Sequence, residues 1–207
     1  MAEHNAIALV GSDSLMGREI RDIVATTVSG ISLRLIASDE EEPGQLTRVG
    51  DEPSILGGLE AESLSGARAI VLAGSLESSR KALEFAGDPP DAAIIDLTFA
   101  AEERPDARLR APMVEAVADE AGVDQAEALA EAAVHVIAHP AAIALALFLR
   151  RLHSTDAIAR SIIHVFAPAS ERGAAGVEEL QRQTVRDRKS TRLNSSHLKL
   201  SRMPSSA

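Results

Sequence analysis

The chain has 207 residues, enough for one ordinary domain or one and a half. Hydrophobic residues make up 45% but aromatics only 2%, with no Trp or Tyr, so Ala, Leu, Ile and Val must fill the core and a base-stacking nucleic-acid surface is disfavoured. The net charge of −10 opposes nucleic-acid and anionic-membrane partners, and the absence of Cys excludes disulfides, thiolate metal sites and a cysteine nucleophile.

The first element is an apolar run, Ala6-Ile-Ala-Leu-Val10, that breaks at Gly11. A short apolar run bounded by Gly reads as a buried parallel strand. Ser12, Asp13 and Ser14 suit a helix start, and Met16, Ile20, Ile23 and Val24 then fall on one helical face. Strand, Gly turn and helix make a unit that offers free N–H groups and a positive dipole end to a phosphate. Gly11 and Gly17 hold the outer glycine positions of G-x-x-G-x-x-G, with Ser14 in the middle. Two readings stand: a working nucleotide site, or a βα unit that keeps only the geometry.

Ile31 to Ser38 is expected to form a second strand, ending in the acidic run Asp39-Glu-Glu-Glu42. Asp39 is 28 positions after Gly11, beyond the ~20 usual for a ribose-binding acid. The run is either a solvated acidic loop or such an acceptor; in the second case it repels a 2′-phosphate and favours NAD over NADP. Residues 43–66, punctuated by Gly and Pro, read as turns with one or two short edge strands. A strand over 67–74 ends at Gly74. A helix follows over 75–86, with Leu76, Ala82, Leu83 and Ala86 as its stripe and Gly87 as its stop. Residues 92–97 form the next strand, 98–112 a surface loop, and 113–133 a helical stretch interrupted near Gly122, with Val114, Val117, Leu129 and Ala133 as inward positions.

Residues 133–138 read as a strand, His139-Pro140 as a turn, and 141–153 as an apolar helix with Arg150, Arg151 and His153 in its last turn, where cations suit the dipole. Residues 160–166 read as a strand, 171–176 as a turn, and Val177–Thr184 as the opening of a helix. Strands alternating with helices imply a mainly parallel sheet with right-handed crossovers. Beyond 185 the character changes. Residues 186–207 carry Arg186, Arg188, Lys189, Arg192, Lys199 and Arg202 against the single acid Asp187, with six serines and no apolar period. A basic nucleic-acid-binding tail is one reading. The stretch RKSTRLNSSH also resembles adapter-like read-through at the end of a truncated open reading frame, and on that reading it is set aside as disordered and non-native. No apolar run reaches the roughly 18 residues of a membrane span, and the start MAEHNAIALVG has neither a charged n-region nor a cleavage site, so a cytoplasmic protein is expected.

Six pieces in order carry a family resemblance: VGSDSLMGREI at 10–20, LIAS at 35–38, ARAIVLAGSLESSRKAL at 67–83, AIIDLTFA at 93–100, VIAHPAAIALAL at 136–147 and FAPASERGAAGVEELQRQT at 166–184. The chain resembles the N-terminal half of the aspartate-semialdehyde dehydrogenases, enzymes of amino-acid biosynthesis. The last piece is the most specific, matching at Ser170, Gly173, Gly176, Glu179, Leu180, Gln183 and Thr184. The resemblance implies a Rossmann-like NAD(P)-binding domain over 1–138, with helices on both faces of a parallel sheet, and the truncated start of an α+β catalytic and dimerisation domain over 139–185. It implies cofactor contacts from Gly11, Ser12, Asp13, Ser14, Leu15, Met16, Gly17, Ser38, Asp39, Gly74, Ser170 and Gly173. It also implies NAD or NADP as cofactor, no metal, and a homodimer formed through the second domain of the full-length protein.

The family's reaction interconverts an acyl phosphate and an aldehyde through a thioester on a Cys thiolate. The Cys of the family motif falls on Ala142, in His139-Pro140-Ala141-Ala142-Ile143. The substrate-binding Arg falls on Glu102 and the substrate-orienting Gln on Ala167. His139 takes the place of the motif's first Asn and reads as a turn residue. Losing these groups together implies a homologue that is not catalytic and retains at most the cofactor; the alternative is an active NAD(P)-dependent oxidoreductase using another group. Residues 158–185 are expected to leave an apolar face incompletely covered. His135, His139, His153 and His164 have no metal-ligand spacing, and Ser170 lacks a hydrolase elbow.

Overall fold

The computed structural model describes residues 6–27, 30–88, 90–119 and 133–197. The chain divides into two units, residues 1–165 and 166–207. The first is built on a six-stranded parallel sheet. Its strands in chain order are β1 (Ala6–Val10), β2 (Ser32–Ile36), β5 (Ala69–Leu72), β6 (Ala93–Asp96), β7 (Ala107–Arg110) and β8 (Val134–Ile137), and β3 (Leu46–Val49) and β4 (Glu52–Ile55) form a separate antiparallel hairpin. The spatial order is β2-β1-β5-β6-β8-β7. The order reverses at β1: the chain steps outward to β2, then crosses to β5 on the opposite side. Such a switch point leaves a crevice beyond the carboxyl ends of the two central strands.

Period-two alternation sorts the strand residues onto two faces. Ala8, Val10, Ile70, Leu72 and Ile94 point to one face and pack with Leu64, Ala82 and Leu83, which come from α2 (Ala61–Leu64) and α3 (Leu76–Ala86). Ile7, Leu9, Leu35 and Val71 point to the other face and pack with Ile20 of α1 (Leu15–Thr27), Leu56 and Val49. The core is therefore aliphatic, and removing a single fully buried Leu from it would cost about 2–5 kcal/mol.

Several expectations are corrected. In α1 the inward positions are Gly17 and Arg21, flanked by partly buried Ile20 and Val24, while Met16 and Ile23 are exposed. Gly17 faces inward because a Cβ there would overlap the Gly11 carbonyl; only glycine lets the helix sit this close to the turn. In α3, Ser78 and Ser79 are buried beside Ala82 and Leu83, while Leu76 is exposed. The fragments within 43–66 form the β3–β4 hairpin and α2, not edge strands of the main sheet. The expected loop 98–112 contains β7, whose backbone pairs with β8 at the sheet edge although its side chains alternate Ala, Arg, Leu, Arg.

The helical expectation over 113–133 is met by α4 (Pro112–Asp119) as far as residue 119; Gly122 and Leu129 lie outside the described residues, as does the side chain of Val117. Then α5 (Pro140–His153) follows β8. The strand expected over 160–166 does not form: residues 157–168 have no regular secondary structure, because no ladder pairs them among the described residues. In the second unit, the turn expected over 171–176 is replaced by a 3-10 turn, Ala169–Arg172, that leads directly into α6 (Gly173–His197). Gly173 has φ +68, a left-handed conformation that glycine adopts without strain, and a Cβ on Gly176 would overlap the Ala169 carbonyl. The backbone of α6 continues past residue 185 without a break. Ile162, Val165, Phe166 and Leu180 are exposed.

Candidate functional site

The carboxyl ends of β1 and β5 meet through glycine. Gly11 has φ +77, and a Cβ on it would overlap the Cα and N of Gly74. The two loops therefore touch backbone to backbone, which is the geometry that lets a ligand approach main-chain atoms at a switch point.

The N–H groups of the β1–α1 turn can be accounted for individually. Gly11 and Ser12 donate to the Ile36 carbonyl at 2.9 and 3.2 Å, and Ser14 donates to the Gly11 carbonyl at 3.2 Å. Ser14 Oγ accepts the Gly17 N–H at 2.9 Å and donates to the Ala73 carbonyl at 2.8 Å. Ser14 thus caps α1 and ties it to the end of β5. Among the described residues, nothing partners the N–H groups of Leu15 and Met16 in the first turn of α1. These two are the donors left for an anion at the positive end of the helix. Ser12 is completely buried, and its Oγ has no partner among the described residues.

Charge at the turn is largely internal. The Asp13 carboxylate accepts from Arg18 Nη2 at 2.8 Å and from Arg21 Nη2 at 3.3 Å. Arg21 is buried and also donates to Thr47 Oγ1 at 2.6 Å, which fastens the hairpin to α1. Arg18 is held above its ordinary pKa by its hydrogen bond and charge pairing with Asp13. Asp39, beyond β2, accepts a hydrogen bond from Ser75 Oγ beyond β5. That bond joins the segments that follow β2 and β5, across the end of β1. Ser75 also caps α3 by accepting the Ser78 N–H at 3.0 Å.

Glu41 is the residue that sequence reasoning passed over as one acid in a run. Its Oε2 accepts the Ser38 N–H at 3.1 Å, while its own N–H donates to the Ser38 carbonyl at 3.2 Å. Burial pushes its carboxyl above the usual carboxylate range, opposed by the N–H groups of Ser38 and Asp13. No donor meets hydrogen-bond geometry at its buried Oε1, so the Asp13 N–H favours the charged form without closing a bond.

Farther along the sheet, Asp96 is completely buried at the end of β6. It accepts from the Thr98 N–H at 2.8 Å, Thr98 Oγ1 at 2.8 Å and the Ala101 N–H at 2.7 Å. This clamp holds Phe99 at φ +63, an uncommon conformation for an aromatic residue. The Phe99 ring stacks on His139 with centroids 6.4 Å apart. His139 is the N-cap of α5, its Nδ1 accepting the Ala141 N–H at 3.1 Å, and Pro140 follows at the first helical position. Ala142, where the resemblance places the nucleophile, is exposed in the first turn of α5. Glu102 is exposed in the loop after β6.

The structure thus brings Gly11, Ser12, Asp13, Ser14, Leu15, Met16, Gly17, Ser38, Asp39 and Gly74 together at the carboxyl ends of β1, β2 and β5. Ser170 and Gly173 stand on the second unit, Ser170 in the 3-10 turn and Gly173 opening α6. Among the described residues no group of three His, Asp or Glu side chains is placed to hold a metal, and no helix is long and apolar enough to cross a membrane. Two open clefts of about 340 and 350 Å³ lie at the opposite end of the sheet, near Gly87–Asp88 and near Asp91–Ala92.

Comparison with solved structures places this architecture. The aspartate semialdehyde dehydrogenase II of Vibrio cholerae superposes with a TM-score of 0.63 at 17% identity, over 88% of this chain and 52% of the enzyme. The chain carries the fold of an aspartate-semialdehyde dehydrogenase. A probable aspartate-semialdehyde dehydrogenase from Pseudomonas aeruginosa gives a TM-score of 0.61 at 23% identity, over 89% of this chain and 53% of that one. The aspartate semialdehyde dehydrogenase of Francisella tularensis gives 0.57 at 14% identity, over 87% and 49%. The chain spans about half the length of these dehydrogenases. No family model and no curated protein sequence matches it. The Rossmann-like parallel sheet expected from the sequence is present, with a fold that matches these dehydrogenases.

Proposed function

We propose that this chain is a dehydrogenase-like protein that keeps a dinucleotide crevice and has no nucleophile for thioester chemistry. The observation that carries the reading is the first turn of α5. Its cap and Pro140 are intact, yet Ala142 stands where the resemblance places the Cys, and the chain contains no other Cys. Glu102 and Ala167 likewise stand where an Arg and a Gln would handle an anionic substrate, and an acid at the first of these repels one.

The crevice suits a dinucleotide in its backbone. The Gly11–Gly74 approach admits a pyrophosphate near the main chain, and the Leu15 and Met16 N–H groups are available donors. Asp39 at the end of β2 is placed to accept from a ribose once Ser75 releases it. The acidic run 39–42 makes NAD the favoured cofactor over NADP, because a 2′-phosphate there meets carboxylates. A nicotinamide, when bound, supplies a hydride carrier. The residues at the ends of β1, β2 and β5 would provide its seat, and Ala142 offers no thiol to an aldehyde. In the full-length protein, a homodimer through the second domain and a cytoplasmic location complete the proposal.

Two measurements test it. Calorimetric titration is expected to show NAD binding with NADP weaker, and no heat or thermal shift with either at millimolar concentration would remove the cofactor half. Assay of aspartate semialdehyde plus phosphate with both nicotinamides is expected to show no turnover above background. Turnover would establish the active alternative.

A further inference from the structure

The acidic loop after β2 does more than end a strand. Ser38 to Glu41 closes into a turn; the Glu41 carboxylate accepts the Ser38 N–H at the end of β2 and faces the Asp13 N–H of the β1–α1 turn without bonding it. Both donors belong to the loops that line the crevice. A carboxylate is a small anion, and here it stands at backbone N–H groups of the kind a phosphate uses. Its Oε1 is buried and unpartnered, as is the Oγ of Ser12 in the adjoining turn. Two polar atoms are thus desolvated at the turn without being satisfied, an arrangement that favours exchange for a better-fitting anion.

We propose that Glu41 is an internal anion that competes with an incoming phosphate for the crevice, so that ligand entry requires its carboxylate to leave. This rests on the reading of the crevice as a dinucleotide seat. The charged groups facing Glu41 are Asp13 on the turn and Arg18 on α1, with Asp39, Glu40 and Glu42 on its own loop; Arg21 is engaged with Asp13. Asp13 repels the Glu41 charge and Arg18 attracts it. Protonating Glu41 therefore removes both the competing anion and part of the repulsion toward a phosphate. Because burial holds its carboxyl above the ordinary range, this happens at a higher pH than for an exposed glutamate.

The test compares wild type with Glu41→Gln, Glu41→Ala and the control Glu42→Gln, which makes the same charge change at an exposed position of the same loop. Thermal melts first verify that each variant folds; Gln retains an oxygen for the Ser38 N–H. Two probes are titrated calorimetrically at about pH 8: NAD, whose two diphosphate-bridge charges do not titrate near neutrality, and inorganic pyrophosphate, which asks only for the anion seat. The expected result is binding about fivefold tighter or more in both Glu41 variants and within about twofold of wild type in Glu42→Gln. As pH falls from about 8 toward the ordinary glutamate value of about 4.5, wild-type affinity for NAD is expected to rise while that of Glu41→Gln stays flat.

Equal gains in Glu41→Gln and Glu42→Gln would show general charge relief and overturn the proposal, as would no gain at all. Pyrophosphate binding that follows the Glu41 pattern without any NAD binding would sustain Glu41 as competitor and remove the dinucleotide reading. Failure of both probes with every variant would remove both.

Discussion

Gly11 and Gly74 touch backbone to backbone at the point where strand order reverses. Gly11 is strained for any other residue by its φ of +77, and its missing Cβ would stand in the Gly74 main chain. Gly74 has a milder constraint: a Cβ there would sit 2.8 Å from Ser78 Oγ and 2.9 Å from Ser38 Cβ. Gly11→Ala is therefore expected to destabilise by about 3 kcal/mol, combining positive-φ strain with overpacking, and Gly74→Ala by about 1–2 kcal/mol. Urea unfolding of the two variants checks the order; equal losses would place the strain elsewhere.

Asp96 organises the next loop along the sheet. With three donors on one buried carboxylate, Asp96→Ala leaves the Thr98 N–H and hydroxyl and the Ala101 N–H unsatisfied. A loss of about 3 kcal/mol is expected. Because this clamp holds Phe99 against His139, faster amide exchange at the start of α5 should accompany it. Exchange confined to 97–101 would show that the stacking contact does not transmit the loss.

His135 gives the first unit a pH dependence. Burial is the main cause that lowers its pKa from the ordinary value, with the Arg110 charge acting the same way and Glu115 opposing. The unfolded chain then holds the proton more readily than the folded one, so stability is full above about pH 6.5 and declines as pH falls below it. Glu115, held below its ordinary range chiefly by the Arg110 hydrogen bond, adds a second loss beginning near pH 4.5 and continuing lower. His135→Gln is expected to flatten the midpoint-versus-pH curve between about pH 7 and 5 while leaving the lower limb, and Glu115→Gln to reduce the lower limb. A His135→Gln curve that overlays wild type would exclude the histidine as the source.

Ala142→Cys introduces the only thiol of the chain at an exposed position in the first turn of α5. The helix N-terminus is expected to lower its pKa below the ordinary ~8.5, so it should react with a disulfide reagent at neutral pH faster than free cysteine does. Aldehyde oxidation is not expected to appear, because Glu102 and Ala167 remain. A rate of aldehyde turnover dependent on the new thiol would show that the nucleophile was the only missing part.

Much of the fold was legible because local pattern and tertiary role coincide in parallel βα units. The runs ending at Val10 and Leu72 are apolar on both faces because helices or loops cover both, and the glycines that follow, Gly11 and Gly74, mark their ends. Where the two diverged, expectation and structure differ. β7 was missed because Ala107-Arg-Leu-Arg110 has the composition of a loop; its strand character comes from the β8 backbone beside it. Residues 160–166 have strand composition and form none, since an extended segment becomes a strand only when a ladder closes on it. Arg21 faces inward against any hydrophobic pattern because its guanidinium finds Asp13 and Thr47 there.

The sequence by itself determined the βα units, the glycine turn after β1, the acidic end of β2 and the absence of a thiol, because each is a property of neighbouring residues or of composition. Only the tertiary structure decided which residues share the crevice. Ser14 reaches Ala73, Asp39 reaches Ser75 and Gly11 packs on Gly74 across long stretches of chain, because β5 is laid beside β1 on the side away from β2. Strand order is set by how buried faces are shared among all six strands, and no local window contains that information. Glu41 therefore reads as a solvated acid in sequence, and in the fold its carboxylate is held on the Ser38 N–H facing the Asp13 N–H of the β1–α1 turn.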